Sequence, residues 1–136
     1  MTEFRYTLDT NILSSFIRFP EGPAVSRLID TGVDGVCVSA IVASEFRFGA
    51  ARRGAERLTR LVEELLQRFP VIPYTADASS VYARIRRDIA VAGRPIGPVD
   101  TFIAAHAIAL DVTLVTDNTR EFARVPELRV ENWLEV

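Results

Sequence analysis

Near its N-terminus the chain carries Phe4-Arg-Tyr-Thr-Leu-Asp-Thr-Asn11, a stretch that alternates apolar and polar residues and then stops at a polar triplet. The alternation predicts a β-strand over residues 4–8. The apolar spacing of residues 12–18 predicts a short helix directly after it. Asp9 therefore stands at the carboxyl end of the first predicted strand, which is where open α/β sheets bind their ligands.

The same alternation of short apolar runs and helical periods continues to the C-terminus. Further strands are predicted at residues 35–38, 71–74, 113–116 and 128–131, and further helices at 24–31, 39–51, 55–69, 75–92, 99–110 and 119–123. Pro73 indicates that the third strand is an edge strand or ends there, because proline cannot donate to a sheet ladder. Strands separated by helices imply right-handed crossovers. We therefore expect one domain over residues 1–136, in which helices cover both faces of a mostly parallel five-stranded sheet.

Composition agrees with a single folded domain. The chain has 136 residues, of which 49% are hydrophobic, enough for a real core. It has no apolar run of the ~18 residues that a membrane helix needs, and its N-terminus does not resemble a signal peptide. The single cysteine, Cys37, excludes an intramolecular disulfide and a cysteine-rich metal site. We expect Cys37 to be a core residue and the protein to be cytoplasmic, with no membrane association.

The charged residues narrow the chemistry. The formal net charge is −2, and all 16 cationic side chains are arginine. The absence of lysine excludes phosphate-binding loops, response-regulator receivers and Schiff-base enzymes, all of which use a lysine. Arginine binds phosphate in a bidentate manner, so RNA stays open as a partner.

Four acids fall at comparable places in the predicted elements. Asp9 and Asp117 each follow a strand, Glu45 lies in the first turns of the helix after the second strand, and Asp100 lies in the first turn of a nearly all-apolar helix. A helix N-terminus favours a carboxylate by ~0.3–1 kcal/mol. Because the carboxyl ends of parallel strands share one edge of a sheet, we expect these four side chains to meet there.

Carboxylates that meet repel one another unless a cation neutralises them. Oxygen ligands without clusters of histidine or cysteine favour Mg²⁺, or Mn²⁺, over zinc. Such sites commonly hydrolyse phosphodiesters. Three of the acids also have structural explanations: Asp9 as a helix cap, Asp117 as a turn residue, and Asp100 as a helix-start charge. We interpret His106, on the apolar helix, as a packed side chain rather than a general base.

Four segments in this order and at this length resemble one known family. The chain is similar, across essentially its whole length, to the PIN-domain toxins of the VapC family in bacterial VapBC toxin–antitoxin modules. The segments are Leu8-Asp-Thr-Asn11, Ser44-Glu-Phe-Arg-Phe-Gly49, Gly93-Arg-Pro-Ile-Gly-Pro-Val-Asp-Thr-Phe-Ile-Ala-Ala105 and Leu114-Val-Thr-Asp-Asn-Thr-Arg-Glu-Phe122. The resemblance implies a three-layer α/β/α fold and an Mg²⁺- or Mn²⁺-dependent endoribonuclease that stops translation by cutting tRNA or rRNA. It also implies a homodimer and a cognate antitoxin encoded nearby.

The resemblance assigns roles to individual residues. The family's catalytic and metal-binding acids fall on Asp9, Glu45, Asp100 and Asp117. Asp117 occupies a position that varies in the family, often to Asn, so we expect it to be the most replaceable of the four. Asn11 and Thr116 match polar positions that line the site. Arg86 matches an arginine that contacts RNA or balances charge, and the sequence leaves these two roles open.

Two alternatives compete with a ribonuclease. A haloacid-dehalogenase-like phosphatase also has an aspartate after strand one, but it needs a second aspartate two residues later, where this chain has Asn11. It also needs a lysine. A PIN-like module that binds RNA or a partner without cutting is a different class of protein, and the complete set of acids argues against it.

Overall fold

Five short strands form the sheet of the computed structural model, which describes residues 3–135. They are β1 (Tyr6–Leu8), β2 (Val36–Ser39), β3 (Val71–Ile72), β4 (Thr113–Val115) and β5 (Val130–Glu131). Their order across the sheet is β3-β2-β1-β4-β5, and every pairing is parallel. The predicted fold class, a three-layer α/β/α fold with a five-stranded sheet, is confirmed.

Seven helices connect these strands within residues 3–135. They are α1 (Thr10–Arg18), α2 (Pro23–Thr31), α3 (Ala40–Arg53), α4 (Glu56–Leu66), α5 (Ala76–Val91), α6 (Pro98–Leu110) and α7 (Thr119–Phe122), with a 3-10 turn at Val33–Gly35. Apolar spacing explains most of them: α4, for example, buries Val62 and Leu66 on one face and exposes its charged face.

The strand order has a switch point at β1. From β1 the chain moves outward to β2 and β3 on one side, and it then returns to place β4 and β5 on the other side. The connections that leave β1 and β4 therefore diverge, and they open a crevice at the carboxyl ends of these two neighbouring strands. Leu8 pairs with Val115 in this register, so the residues that follow them lie side by side.

The core lies beneath this crevice and on both sides of the sheet. Leu8, Val36 and Leu114 are fully buried on three adjacent strands. Trp133 is also buried and packs edge-to-face on Tyr6, with their ring centroids 5.3 Å apart. Cys37 is buried in β2, as predicted. No helix within residues 3–135 has both the length and the apolar character that crossing a bilayer requires.

Several element boundaries differ from the sequence prediction for local reasons. Helix α1 begins at Thr10 rather than at residue 12, because the Asp9 carboxylate caps it. Strand β3 ends at Ile72, immediately before Pro73, and lies at the sheet edge. Helix α4 ends at Leu66, three residues earlier than predicted.

His106 on α6 is a packed side chain, as predicted. It is 1% exposed, and its Nδ1 lies 2.7 Å from Oγ of Ser39, the residue that caps α3. Burial lowers the pKa of the His106 ring. The backbone of Pro73 raises this pKa by a smaller amount, and Nε2 has no well-formed hydrogen bond among the described residues. The ring is therefore held neutral in the folded protein.

We predict that His106→Gln reduces the loss of stability in mild acid. The unfolded ring takes up a proton near pH 6.5, whereas the folded ring stays neutral to lower pH. The unfolded state then binds more protons, so the free energy of unfolding falls as pH falls below about 6.5. Urea unfolding at neutral pH and about one unit below 6.5 should show the wild type losing up to about 1 kcal/mol more than the variant. Equal losses of unfolding free energy in the wild type and in His106→Gln would contradict the conclusion that the folded ring stays neutral.

Candidate active site

Asp9 is a buried and hydrogen-bonded carboxylate of the crevice. Its side chain is 7% exposed at the end of β1. One carboxylate oxygen, Oδ1, accepts a hydrogen bond of 2.9 Å from the backbone N–H of Thr10, and Oδ2 accepts one of 2.7 Å from Oγ1 of Thr116. Thr116 directly follows β4, so this second bond joins the ends of the two central strands. Asp9 is thus a helix cap and a member of the crevice at once.

Glu45 faces Asp9 from the second turn of α3. Ser39 sets the start of this helix, because its Oγ accepts a hydrogen bond from the backbone N–H of Ile41. Oε1 of Glu45 is 3.5 Å from the Thr10 hydroxyl that donates to it. Burial and the charge of Asp9 both raise the pKa of Glu45. The two carboxylates therefore interact through space, with Thr10 between them.

Asp100 pairs with an acid that the sequence prediction missed. Asp100 lies in the first turn of α6, where burial and a hydrogen bond with Glu121 raise its pKa to about 7. The charges of Glu121, Asp9 and Glu45 are smaller contributions to the same rise. Glu121 lies in α7 and accepts hydrogen bonds from the backbone N–H of Gly97 at 3.1 Å and from Nδ2 of Asn118 at 2.6 Å. These bonds hold the pKa of Glu121 low, so the shared proton belongs to Asp100.

Asp117 lies at the outer rim of the cluster. Its side chain is exposed, and its Oδ1 accepts a 2.9 Å hydrogen bond from Nδ2 of Asn11. Its charge still contributes to the raised pKa of Asp9. Both polar residues singled out from the sequence thus contact an acid: Asn11 holds Asp117, and Thr116 holds Asp9.

The crevice contains Glu121, whereas Arg86 forms no hydrogen bond or ion pair with the crevice acids in the described part of the chain. The signal for Glu121 was present in the sequence, since it lies in the first turn of a helix that follows a strand end, as Asp100 lies in a first turn. Arg86 is exposed on α5, where Nη1 donates a 2.7 Å hydrogen bond to the Tyr82 hydroxyl. It forms no ion pair with an acid in the described part of the chain, so its role stays a prediction.

The donors fit a hard divalent cation in their chemistry. All are carboxylate, hydroxyl or amide oxygens, which Mg²⁺ and Mn²⁺ prefer. Burial and the hydrogen bond with Glu121 raise the pKa of Asp100 most, and repulsion from Glu121, Asp9 and Glu45 adds to the rise. As they stand, however, no three His, Cys, Asp or Glu side chains of residues 3–135 are grouped tightly enough to hold a metal ion. The case for a cation therefore rests on the chemistry of these donors and not on a preformed metal site.

Comparison with known proteins identifies a family that matches this chain. The family model described as PIN domain matches residues 6–128. A tRNA(fMet)-specific endonuclease VapC from Shigella flexneri is 35% identical over 130 residues, which cover 95% of this chain and 98% of the relative. A ribonuclease VapC2 from Haemophilus influenzae is 34% identical over 131 residues, which cover 96% and 98%.

Solved structures give the same result. The structure described as DNA-bound VapBC from Salmonella typhimurium matches with a TM-score of 0.89 and 33% identity, and the match covers 96% of this chain and 98% of that one. The VapBC2 structure from Rickettsia felis, bound to a promoter DNA fragment, matches with a TM-score of 0.87 and 31% identity over 96% and 99%.

We predict that Thr116→Val weakens cation binding in the crevice. The substitution keeps the shape of the side chain but removes the hydroxyl that orients Asp9, and loss of such an outer hydrogen bond typically costs about 10–100-fold in metal affinity. Titration calorimetry with Mn²⁺ measures the change. Thr7→Val is the matched control, because Thr7 lies on β1, two residues before Asp9, and its buried hydroxyl has no hydrogen-bond partner among the described residues. Equal Mn²⁺ affinity in both variants would contradict the role of Thr116.

Proposed function

This chain belongs to the PIN-domain family, among the VapC ribonucleases, and we propose that its crevice hydrolyses phosphodiester bonds of tRNA with a divalent cation. It is the toxin of a VapBC-type toxin–antitoxin module, and its partner is the cognate antitoxin. The observation that carries the proposed chemistry is the grouping of partly buried carboxylates at the end of β1, where burial and neighbouring acids raise the pKa values of Asp9, Glu45 and Asp100. Such a site is poised to exchange a proton for a cation.

PIN ribonucleases depend on a divalent metal, and we propose Mg²⁺, with Mn²⁺ as a substitute. Asp9, Glu45, Asp100 and Glu121 would hold it, with Asp117 at the rim. When bound, such a cation supplies an activated water and offsets charge on the phosphate. The oxygen-only donor set supports this choice over zinc.

The protein side chains provide orientation and a proton acceptor. Thr116 and the N-terminus of α1 fix the Asp9 carboxylate, so it faces the substrate in one orientation. Glu45 is only half-buried and makes one weak hydrogen bond, so its carboxylate is free to accept a proton from the attacking water. Asn118 and Gly97 fix Glu121 in the same way that Thr116 fixes Asp9.

The relatives support tRNA over ribosomal RNA as the substrate class. The Shigella flexneri and Salmonella typhimurium relatives carry the description tRNA(fMet)-specific endonuclease. We propose that tRNA is also cut by this protein, as one domain over residues 1–136 that acts as a homodimer. Because tRNA and translation are cytoplasmic, we propose that it acts in the cytoplasm.

The two alternatives have less support. A haloacid-dehalogenase-like phosphatase needs an aspartate two positions after Asp9. This chain has Asn11 there, and its side chain donates a hydrogen bond to Asp117. A binding module without activity would have no use for the grouped carboxylates of Asp9, Glu45 and Asp100, whose pKa values burial and neighbouring charges raise. The experiment below distinguishes such a module from a nuclease.

We predict that purified protein cuts total tRNA in the presence of Mg²⁺ and that EDTA stops the reaction. Asp9→Asn should lower the single-turnover rate by at least about 100-fold, a loss typical of removing one electrostatic group from an active site. Asp30→Asn is the matched control, because Asp30 is exposed on α2, away from the crevice. Cleavage that survives both EDTA and Asp9→Asn would show that a contaminating nuclease or another site is responsible.

We further predict an order among the remaining acids. Glu121→Gln should reduce cleavage nearly as much as Asp9→Asn, since Glu121 is fixed against Asp100 inside the crevice. Asp117→Asn should be the mildest change, because Asp117 is exposed and an amide keeps a hydrogen-bonding oxygen for Asn11. The same single-turnover assay ranks the variants. A larger loss of cleavage rate in Asp117→Asn than in Glu121→Gln would contradict the proposal that Glu121 acts inside the crevice and Asp117 only at its rim.

A further inference from the structure

A groove leads away from the acidic crevice between α1 and α3, which pack against each other. Its volume is about 230 Å³. Thr10 and Glu45, which belong to the crevice, form one end, and the apolar side chains of Phe46, Leu58 and Val62 line the groove further on. The groove and the crevice are therefore one continuous surface.

Three arginines line the other end of this groove. Arg18 ends α1, and Arg52 and Arg53 end α3. None of them forms an ion pair with an acid in residues 3–135, unlike the arginines at positions 27, 47, 84, 87 and 129. The guanidinium of Arg52 lies 5.7 Å from the ring centroid of Phe48, an exposed residue one turn away, and this contact holds it at the groove rim.

Gly49 lies in the groove between Glu45 and Arg52. A glycine within a helix costs roughly 0.5–1 kcal/mol relative to alanine. A Cβ added at Gly49 would meet no atom within 4 Å, so no neighbouring side chain explains the glycine. The missing side chain leaves helix backbone open to the groove, as expected where a ligand approaches closely.

The charges of the groove favour a polyanion that extends from the reaction centre. Arg52 is seven residues from Glu45, about 10 Å along the helix at 1.5 Å per residue. A phosphate at the arginines would therefore be a neighbour of the phosphate that reacts at the acids. Arginine holds phosphate oxygens through paired N–H donors.

We propose that the substrate RNA strand lies in this groove, with Arg18 and Arg52 binding a backbone phosphate beside the scissile one and Gly49 admitting the strand. This inference rests on the proposed ribonuclease function and adds the path of the strand across the surface. Arg53 borders the same end of the groove and extends the positive surface there.

Binding of a short fluorescein-labelled single-stranded RNA, followed by anisotropy across a salt series with Mg²⁺ present, tests the arginines. All proteins carry Asp100→Asn so that the RNA stays intact. Arg18→Gln and Arg52→Gln should each weaken binding several-fold and reduce the slope of log K against log salt by about 0.7, the value for one phosphate contact on a single strand. Arg68→Gln is the control, since this exposed arginine lies between α4 and β3 and does not line the groove. Slopes and affinities equal to those of Arg68→Gln would overturn the proposal.

Filling the groove tests the path of the strand independently. Gly49→Leu should lower RNA affinity at least about tenfold while the thermal midpoint stays at or above that of the parent, because leucine favours the helix and a Cβ at this position meets no atom within 4 Å. Ala51→Leu adds the same bulk to an exposed position of α3 outside the groove and should leave RNA affinity unchanged. Equal RNA affinity in the two variants would overturn the proposed path.

Three outcomes distinguish a failure of this inference from a failure of the proposed function. Metal-dependent tRNA cleavage by the wild type, together with unchanged RNA binding in the groove variants, would overturn the groove and leave the ribonuclease standing. Loss of antitoxin binding in Gly49→Leu, with RNA affinity intact, would also overturn it, since the groove would then be a protein surface. No RNA cleavage by the wild type would instead contradict the proposed function.

Discussion

The arrangement of the site depends on one buried carboxylate, that of Asp9, which is held by the hydroxyl of Thr116 and the backbone N–H of Thr10. A buried charge is costly unless it is hydrogen-bonded or paired. Two hydrogen bonds offset part of that cost, but burial still raises the pKa of Asp9. The remaining cost is electrostatic, and it is shared with Glu45 and Asp100, whose pKa values are raised in turn. A divalent cation would relieve all three at once.

The fold explains why this charge is buried at the edge of the sheet. The strand order reverses at β1, so β1 and β4 are neighbours although more than a hundred residues separate them. Asp9 and Thr116 meet because each directly follows one of these strands. The same connections lead into α1 and α7, whose first turns carry Thr10 and Glu121. A parallel α/β sheet thus places polar groups distant in sequence within hydrogen-bonding distance.

Much of this arrangement follows from the sequence. Strand ends fix Asp9 and Asp117, and apolar helices with one charged residue in their early turns mark Glu45 and Asp100. Glu121 also carries a sequence signal, its place in the first turn of a helix after a strand, but its pairing with Asp100 depends on the Gly97 backbone and on Asn118, contacts that exist only in the folded chain. Helix ends were displaced for a similar reason: α1 begins two residues early because Asp9 caps it. Gly49 carries no sequence signal, since only the surrounding space shows that its Cβ would meet nothing.

The central claim is that the carboxylates around Asp9 form a divalent-cation site. A crystal structure of the protein grown with Mn²⁺, with anomalous diffraction data, tests it most directly. The prediction is an anomalous peak within bonding distance of carboxylate oxygens of Asp9 and of at least one of Glu45, Asp100 and Glu121. A well-ordered crevice without such a peak, or Mn²⁺ bound only elsewhere on the protein, would contradict it.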